Sequence, residues 1–259
     1  MHLAVDDVKL FADVRGEGEA VVLLHGFPLT HRIWESSASS LARDYCVVAP
    51  DLRGMGASGL TAGPYLMERL AGDLAAMLDA LGIERATIVG HSLGGYVALA
   101  FARMYDARVA RLALVTSRLA ADTPEIARSR RELAARIEEE NAIDAVLETM
   151  LPRLLAPESP AALIETARAI ALENSPAGLA AVLRGMAMRD DAHDIAADLS
   201  MPVMAIAGAE DRSISLEEAR DLAGSFPNAE LVVLDGVGHL PMLEDPVGLD
   251  RALRSLLAR

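Results

Sequence analysis

The stretch Val89-Gly90-His91-Ser92-Leu93-Gly94-Gly95 decides the fold prediction, because it places a serine between glycines where two structural periods meet. Residues 86–89 form a short apolar run with β-branched members, which is typical of a buried strand. From Leu93 onward the apolar residues recur at helical spacing. The serine therefore lies on a strand-to-helix turn. Gly90-x-Ser92-x-Gly94 fits a nucleophile elbow, a strained turn that exposes the hydroxyl, although a packing turn of small residues would also fit this pentad alone.

Apolar runs on both sides of this turn predict further buried strands. They are residues 20–24, 45–50, 109–116, 202–207 and 231–234, and helical patterns separate most of them. Residues 1–14 predict two shorter strands, broken near Asp6-Asp7, at an antiparallel edge. This alternation predicts an α/β fold with a mostly parallel sheet of about eight strands flanked by helices.

Residues 118–194 interrupt the alternation, since they carry only helical patterns punctuated by prolines. The patterns predict helices near residues 123–140, 143–152, 160–173 and 176–188. We therefore expect a core formed by residues 1–117 and 195–259, with residues 118–194 as an all-helical insertion. The insertion contains no Phe, Tyr or Trp, so any surface that it turns toward the sheet should be aliphatic.

Composition limits the partners of the chain. A net charge of −14 would repel phosphate backbones and anionic lipids, so we expect neither nucleic acid nor membrane partners. The single cysteine, Cys46, excludes an intrachain disulfide, and its apolar neighbours indicate a buried strand position. The sequence shows no long apolar segment and no signal pattern, which favours a cytoplasmic protein.

A second glycine pattern, Gly54-x-Gly56-x-x-Gly59, matches the spacing of a dinucleotide-binding turn. Pro64 would interrupt a helix that started at Gly59, and no strand ends in an acid at the distance that such a site requires. We therefore expect no nucleotide and no other cofactor.

Polar residues follow several of the predicted strands. Because the carboxyl ends of parallel strands share one edge, His25-Gly26-Phe27, Ser92, Asp211 and His239 should meet there. These residue types suit acyl transfer, with Ser92 as the nucleophile, His239 as its base and Asp211 as the acid that orients the histidine. The backbone N–H groups of Phe27 and Leu93 would then stabilise the oxyanion.

With these motifs in this order, the chain resembles the α/β-hydrolase superfamily. The shared motifs are His25-Gly26-Phe27-Pro28, Asp51-Leu52-Arg53-Gly54-x-Gly56-x-Ser58, Gly90-His91-Ser92-Leu93-Gly94-Gly95, Gly208-x-x-Asp211 and Gly238-His239. The resemblance covers essentially the whole length. It implies a triad in the order Ser, Asp, His and a small capped branch of esterases, lactonases and perhydrolases, in which residues 118–194 would be the variable cap.

Other polar residues near these motifs compete for the same roles. Asp51 lies in a loop motif that the superfamily uses structurally, Asp235 is close in sequence to the catalytic histidine, and Glu210 adjoins the assigned acid. We expect His25 and His91 to support loop geometry through hydrogen bonds. No metal site is expected, because no carboxylate or cysteine shares the local spacing of these histidines.

Serine at the elbow separates this chain from dehalogenases and epoxide hydrolases, similar proteins that carry aspartate there. The prediction is an acyl-enzyme on Ser92, formed from a carboxylic ester, lactone or thioester with a short to medium aliphatic acyl group. The predicted substrate-binding residues are Leu147, Met150, Leu183, Met186 and Met242.

Two alternatives to a simple esterase remain open. Pro28 resembles the perhydrolase and cofactor-free haloperoxidase branch, which usually carries Trp at the position of Phe27 and uses peroxide in place of water. Some relatives with an intact triad act as small-molecule receptors, although these tend to lack the Gly94-Gly95 pair. The sequence leaves the oligomeric state open.

Overall fold

The computed structural model describes residues 1–259. Its strands are β1 (His2–Val5), β2 (Val8–Arg15), β3 (Ala20–Leu24), β4 (Cys46–Pro50), β5 (Ala86–His91), β6 (Val109–Val115), β7 (Val203–Gly208) and β8 (Ala229–Leu234). The α-helices of the core are α1 (Glu35–Leu41), α2 (Met67–Ala80), α3 (Leu93–Tyr105), α9 (Leu216–Ser225), α10 (Pro241–Glu244) and α11 (Pro246–Leu257). Those between β6 and β7 are α4 (Pro124–Glu140), α5 (Asp144–Leu154), α6 (Ala161–Ala171), α7 (Pro176–Met186) and α8 (His193–Ala196). Short 3₁₀ helices cover His31–Trp34 and Asp106–Arg108.

The strands form one eight-stranded sheet in the order β1-β2-β4-β3-β5-β6-β7-β8. β1 and β2 pair antiparallel with each other, and β2 pairs antiparallel with β4. The remaining neighbours are parallel. The predicted mostly parallel sheet with an antiparallel edge is therefore confirmed.

The strand order reverses direction beside β3, which has β4 on one side and β5 on the other. The loops that follow β3 and β5 consequently leave the sheet in different directions and open a crevice between them. The register of this pair places Leu24 opposite Gly90. His25 and Ser92 therefore follow neighbouring strands at the same edge.

An apolar core of 80 buried residues fills the space between the sheet and its helices. β3, β5 and β7 are buried along their whole length, which explains their continuous apolar sequences. α2 and α3 pack against each other, and α1 packs against α11. No helix is both long enough and apolar enough to cross a membrane.

The segment between β6 and β7 contains helices and no strands. Its four longer helices begin and end within about two residues of the predicted limits, with α5 ending at Leu154, and the short α8 was not predicted. α7 rests on a core loop through its small residues, because a Cβ at Gly178 or Gly185 would collide with the carbonyl oxygen of Gly54 or Tyr65. The backbone N–H of Tyr65 donates to Ala181 O at 3.1 Å.

Candidate active site

Ser92 occupies the turn between β5 and α3 with φ 50° and ψ −112°. A positive φ is costly for a residue with a side chain, so the surrounding hydrogen bonds must hold it. Ser92 N–H donates to Val115 O at 2.9 Å, and Ser117 Oγ donates to Ser92 O at 3.0 Å. The end of β6 thus holds the strained turn in place.

The glycines on either side of Ser92 are required by close backbone contacts. A Cβ at Gly90 would collide with Gly94 O, and a Cβ at Gly94 would collide with Leu24 O. Helix α3 can therefore begin directly against β3 and β5. Backbone packing thus explains why glycines occupy positions 90 and 94. It does not explain the positive φ of Ser92.

Asp211 and His239 emerge from the loops after β7 and β8 and contact each other. His239 Nδ1 lies 2.7 Å from Asp211 Oδ2. The other oxygen, Oδ1, accepts the backbone N–H groups of Ser213 and Ile214 at 2.7 and 3.1 Å. The carboxylate is thus anchored independently of the histidine, so it can fix the orientation of the ring.

His239 lies beside His91 and has one ring nitrogen without a partner in the protein. The rings of His91 and His239 have centroids 5.0 Å apart, which places His239 beside the elbow. His239 Nε2 has no hydrogen-bond partner in the protein, and Ser92 Oγ makes no hydrogen bond to it in this structure. Hydrogen bonds of this kind are often long before substrate binds.

The loop after β3 lies against Ser92. A Cβ at Gly26 would be 3.2 Å from Ser92 Cβ. The N–H of the next residue, Phe27, forms no hydrogen bond within the protein. Leu93 is the first residue of α3, where N–H groups have no acceptor inside the helix. The N–H groups of Phe27 and Leu93, in the two loops next to Ser92, therefore have no acceptor within the protein.

His25 and His91 are fully buried, and each makes hydrogen bonds with backbone groups, although His91 Nδ1 has no partner. Leu52 N–H donates to His25 Nε2 at 3.0 Å, and His25 Nδ1 lies 3.1 Å from Gly26 O. His91 Nε2 lies 2.9 Å from the carbonyl oxygen of His239. Burial lowers the pKa of His25 and lowers the pKa of His91 well below its usual value, with the nearby His239 as a second cause for His91.

The three other candidate acids, Asp51, Asp235 and Glu210, make no hydrogen bond with His239. Asp51 accepts the N–H of His31 and Ala57, each at 2.8 Å, and its Oδ1 lies 2.8 Å from His31 Nδ1. Asp235 and Glu210 are exposed, and neither forms a hydrogen bond with His239.

The sequence interpretation missed Thr116 and Ser117, which follow β6 at the same sheet edge. Thr116 Oγ1 donates to His239 O at 3.1 Å, and Thr116 has a positive φ of 43°. Two hydroxyl residues directly after a buried strand are the signal that could have identified them.

One of the five predicted substrate-binding residues lines a cleft beside α1. Met242, on α10, lines a cleft of about 890 Å³ between α1, α6 and α10 together with Ile33 and Ile170. The other four predicted residues, on α5 and α7, do not line this cleft, and no triad residue does. The predicted aliphatic character is also incomplete, because Arg130 Nη1 lies 3.5 Å from Met186 Sδ. No group of three or more His, Cys, Asp or Glu side chains could hold a metal ion.

Comparison with known proteins adds to this geometry. A family model described as the alpha/beta hydrolase family matches residues 21–252. A pimeloyl-(acyl-carrier protein) methyl ester esterase of Chromobacterium violaceum is 32% identical over 95% of this chain and 97% of its own length. A putative carbamate hydrolase, RutD, of Pseudomonas syringae pv. syringae is 29% identical over 93% of this chain and 95% of its own.

The solved structure of a thermophilic esterase from Thermogutta terrifontis, with malate bound, is similar over the whole chain. It is 35% identical with a TM-score of 0.94, and the match covers 100% of this chain and 97% of the esterase. All three of these proteins are named as hydrolases or esterases.

Proposed function

Because the chain belongs to the alpha/beta hydrolase family, we propose that it is a serine hydrolase that cleaves carboxylic esters through an acyl-enzyme on Ser92. The observation that carries the proposal is the strained Ser92 turn beside a buried His239–Asp211 pair. The names of the esterase relatives support the same class of reaction.

In the first half of the reaction, Ser92 Oγ attacks the ester carbonyl while His239 Nε2 takes the hydroxyl proton. Asp211 keeps the second nitrogen of the ring protonated and stabilises the imidazolium that forms. The N–H groups of Phe27 and Leu93 stabilise the oxyanion of the tetrahedral intermediate. The imidazolium then protonates the leaving alcohol. The acyl group remains on the serine.

In the second half, water replaces the alcohol. His239 Nε2 takes a proton from that water as it attacks the acyl carbon, and the proton returns to Ser92 Oγ when the acid leaves. A lactone would follow the same steps and open to a hydroxy acid, and a thioester would release a thiol.

We assign substrate selection to residues 118–194, acting as a cap on a catalytic core of residues 1–117 and 195–259. Leu147 on α5 and Leu183 and Met186 on α7 are buried apolar side chains. A pocket lined by such side chains would suit an aliphatic acyl group of short to medium length. The guanidinium of Arg130 lies beside Met186, so the apolar surface ends at a charged group there.

The test is a panel of p-nitrophenyl esters from acetyl to decanoyl, with simple lactones of matched length, assayed with and without hydrogen peroxide. We expect ester hydrolysis with an optimum at short to medium acyl chains. Absence of hydrolysis across the panel, together with strong thermal stabilisation by one of the ligands, would contradict the enzyme and favour a receptor. Faster conversion to peracid than to acid would place the chain with perhydrolases.

A further inference from the structure

Glu244, the last residue of α10, accepts four hydrogen bonds although it lies outside the triad. Its Oε2 accepts from the backbone N–H groups of Gly238 and Leu240, at 3.0 and 3.1 Å. These two residues flank His239 in the chain. A single carboxylate oxygen therefore holds both sides of the histidine loop.

The other oxygen of this carboxylate reaches the inserted helices. Oε1 accepts from Ala156 N–H and from Ser159 Oγ–H, each at 2.7 Å. Both donors belong to the connection between α5 and α6. A Cβ added to Gly238 would collide with Ala156 N, so the two backbones are in direct contact. Glu244 thus bridges the histidine loop and this connection.

Further hydrogen bonds fasten the same connection to both loops of the triad. His239 N–H donates to Leu154 O at 3.2 Å. Arg212, the residue after Asp211, donates to the carbonyl oxygens of Pro152 and Leu155. The end of α5 is therefore tied to the loops that carry the acid and the base, and the side chains of Arg212 and Glu244 both contribute to that link.

We infer that Glu244 is a positioning residue, which holds the His239 loop in register with the elbow and couples it to the connection between α5 and α6. The inference rests on the proposed function, because it concerns the residue assigned as the base. Without the carboxylate, the N–H groups of Gly238 and Leu240 lose their acceptor and the loop is free to move. A displacement of about 1 Å at a catalytic group costs on the order of 10²-fold in rate.

The site requires an acceptor for four donors, which explains a carboxylate. A glutamine in place of Glu244 has only one carbonyl oxygen. If that oxygen faces the histidine loop, its amide N–H₂ group faces the two donors of the insertion, Ala156 N–H and Ser159 Oγ–H. The Ser159 hydroxyl can rotate and accept from that N–H₂, whereas the N–H of Ala156 cannot. Glu244→Gln can therefore keep the two bonds to the histidine loop and lose part of the link to the insertion.

The kinetic test compares kcat and KM of the wild type, Glu244→Ala, Glu244→Gln and Ser159→Ala on the best short-chain ester. We expect Glu244→Ala to lower kcat by about 10–10²-fold while KM changes by less than about threefold. Glu244→Gln should restore most of the lost kcat. Ser159→Ala, which removes one bond on the insertion side only, should stay within about twofold of the wild type. Equal kcat in Glu244→Ala and wild type, or no rescue by glutamine, would overturn the inference.

Amide hydrogen exchange on the same four proteins tests the clamp without turnover. Exchange at Gly238 and Leu240 should accelerate in Glu244→Ala and remain near wild type in Ser159→Ala. Unchanged exchange at both amides in Glu244→Ala would overturn the inference even if the wild type is an active esterase. If the wild type hydrolyses no ester but exchange follows this pattern, the proposed function fails while the clamp on the His239 loop stands.

Discussion

His239 Nδ1 lies 2.7 Å from Asp211 Oδ2, and the two side chains are only 3% and 1% exposed. The pair joins loops from two neighbouring parallel strands, β7 and β8. Because Asp211 is also held by two backbone N–H groups, the carboxylate is fixed before any substrate arrives. A buried, pre-oriented acid of this kind selects one histidine tautomer and favours its protonated form during reaction.

Asp211→Asn should therefore lower kcat by about 10⁴-fold near neutral pH, since an amide favours the wrong tautomer and cannot stabilise the imidazolium. Ester hydrolysis by the purified, folded variant is the measurement. Asp235→Asn is the control, because Asp235 is exposed and should leave kcat nearly unchanged. A loss in the control as large as that in Asp211→Asn would show that the acid is misassigned.

Two glycine substitutions should have opposite effects on the free energy of unfolding. Gly94→Ala forces a Cβ into Leu24 O and should destabilise the protein by about 1–3 kcal/mol. Gly72→Ala, within α2, adds a methyl group where no atom lies within 4 Å and should stabilise by about 0.5–1 kcal/mol. Urea unfolding of both variants checks this. Equal stability of the two variants would contradict the packing at the elbow.

Acid should destabilise the fold through His91. Burial keeps the pKa of this histidine well below its usual value, with His239 and His25 as the nearby groups that also disfavour its charge. Below about pH 6.5 the unfolded chain binds a proton at this position that the folded chain does not, so stability falls as pH falls. Between pH 7.5 and 5.5 this one group lowers the free energy of unfolding by on the order of 1 kcal/mol.

His91→Gln isolates that contribution, because its amide can still donate to His239 O while it does not titrate. The loss of unfolding free energy between pH 7.5 and 5.5 should be smaller in the variant than in the wild type by that amount, on the order of 1 kcal/mol. Identical pH dependence in the two proteins would mean that His91 binds protons equally in the folded and the unfolded chain, which would contradict a pKa lowered by burial.

Acyl-chain preference should respond to α7. Each buried methylene adds about 0.8 kcal/mol, or roughly fourfold in kcat/KM, until the pocket is full. We expect kcat/KM to rise from acetyl to butyryl or hexanoyl esters and then fall, and Met186→Trp to shift the optimum to shorter chains. Met188→Trp is the matched control, since Met188 is 57% exposed. A steady increase to very long chains would indicate an open surface instead.

The sequence was most informative where burial and chemistry coincide. β3, β5 and β7 could be predicted because strands buried on both faces have continuous apolar sequences, and the polar residues after β5, β7 and β8 could be placed at one edge by parallel topology. The sequence could not predict the contacts of Glu244, because they join segments distant in the chain. The cleft that Met242 lines between α1, α6 and α10 could not be predicted either, since helical periodicity does not give the packing of one helix against another.

Covalent labelling with a fluorophosphonate, read by intact mass and peptide mapping, shows whether Ser92 carries the acyl group. We expect one adduct per chain, on the peptide that contains Ser92. We also expect no adduct in Ser92→Ala, whose kcat should fall about 10⁵–10⁶-fold with the fold intact. Labelling at another residue, or ester hydrolysis retained by purified Ser92→Ala, would contradict this role of Ser92.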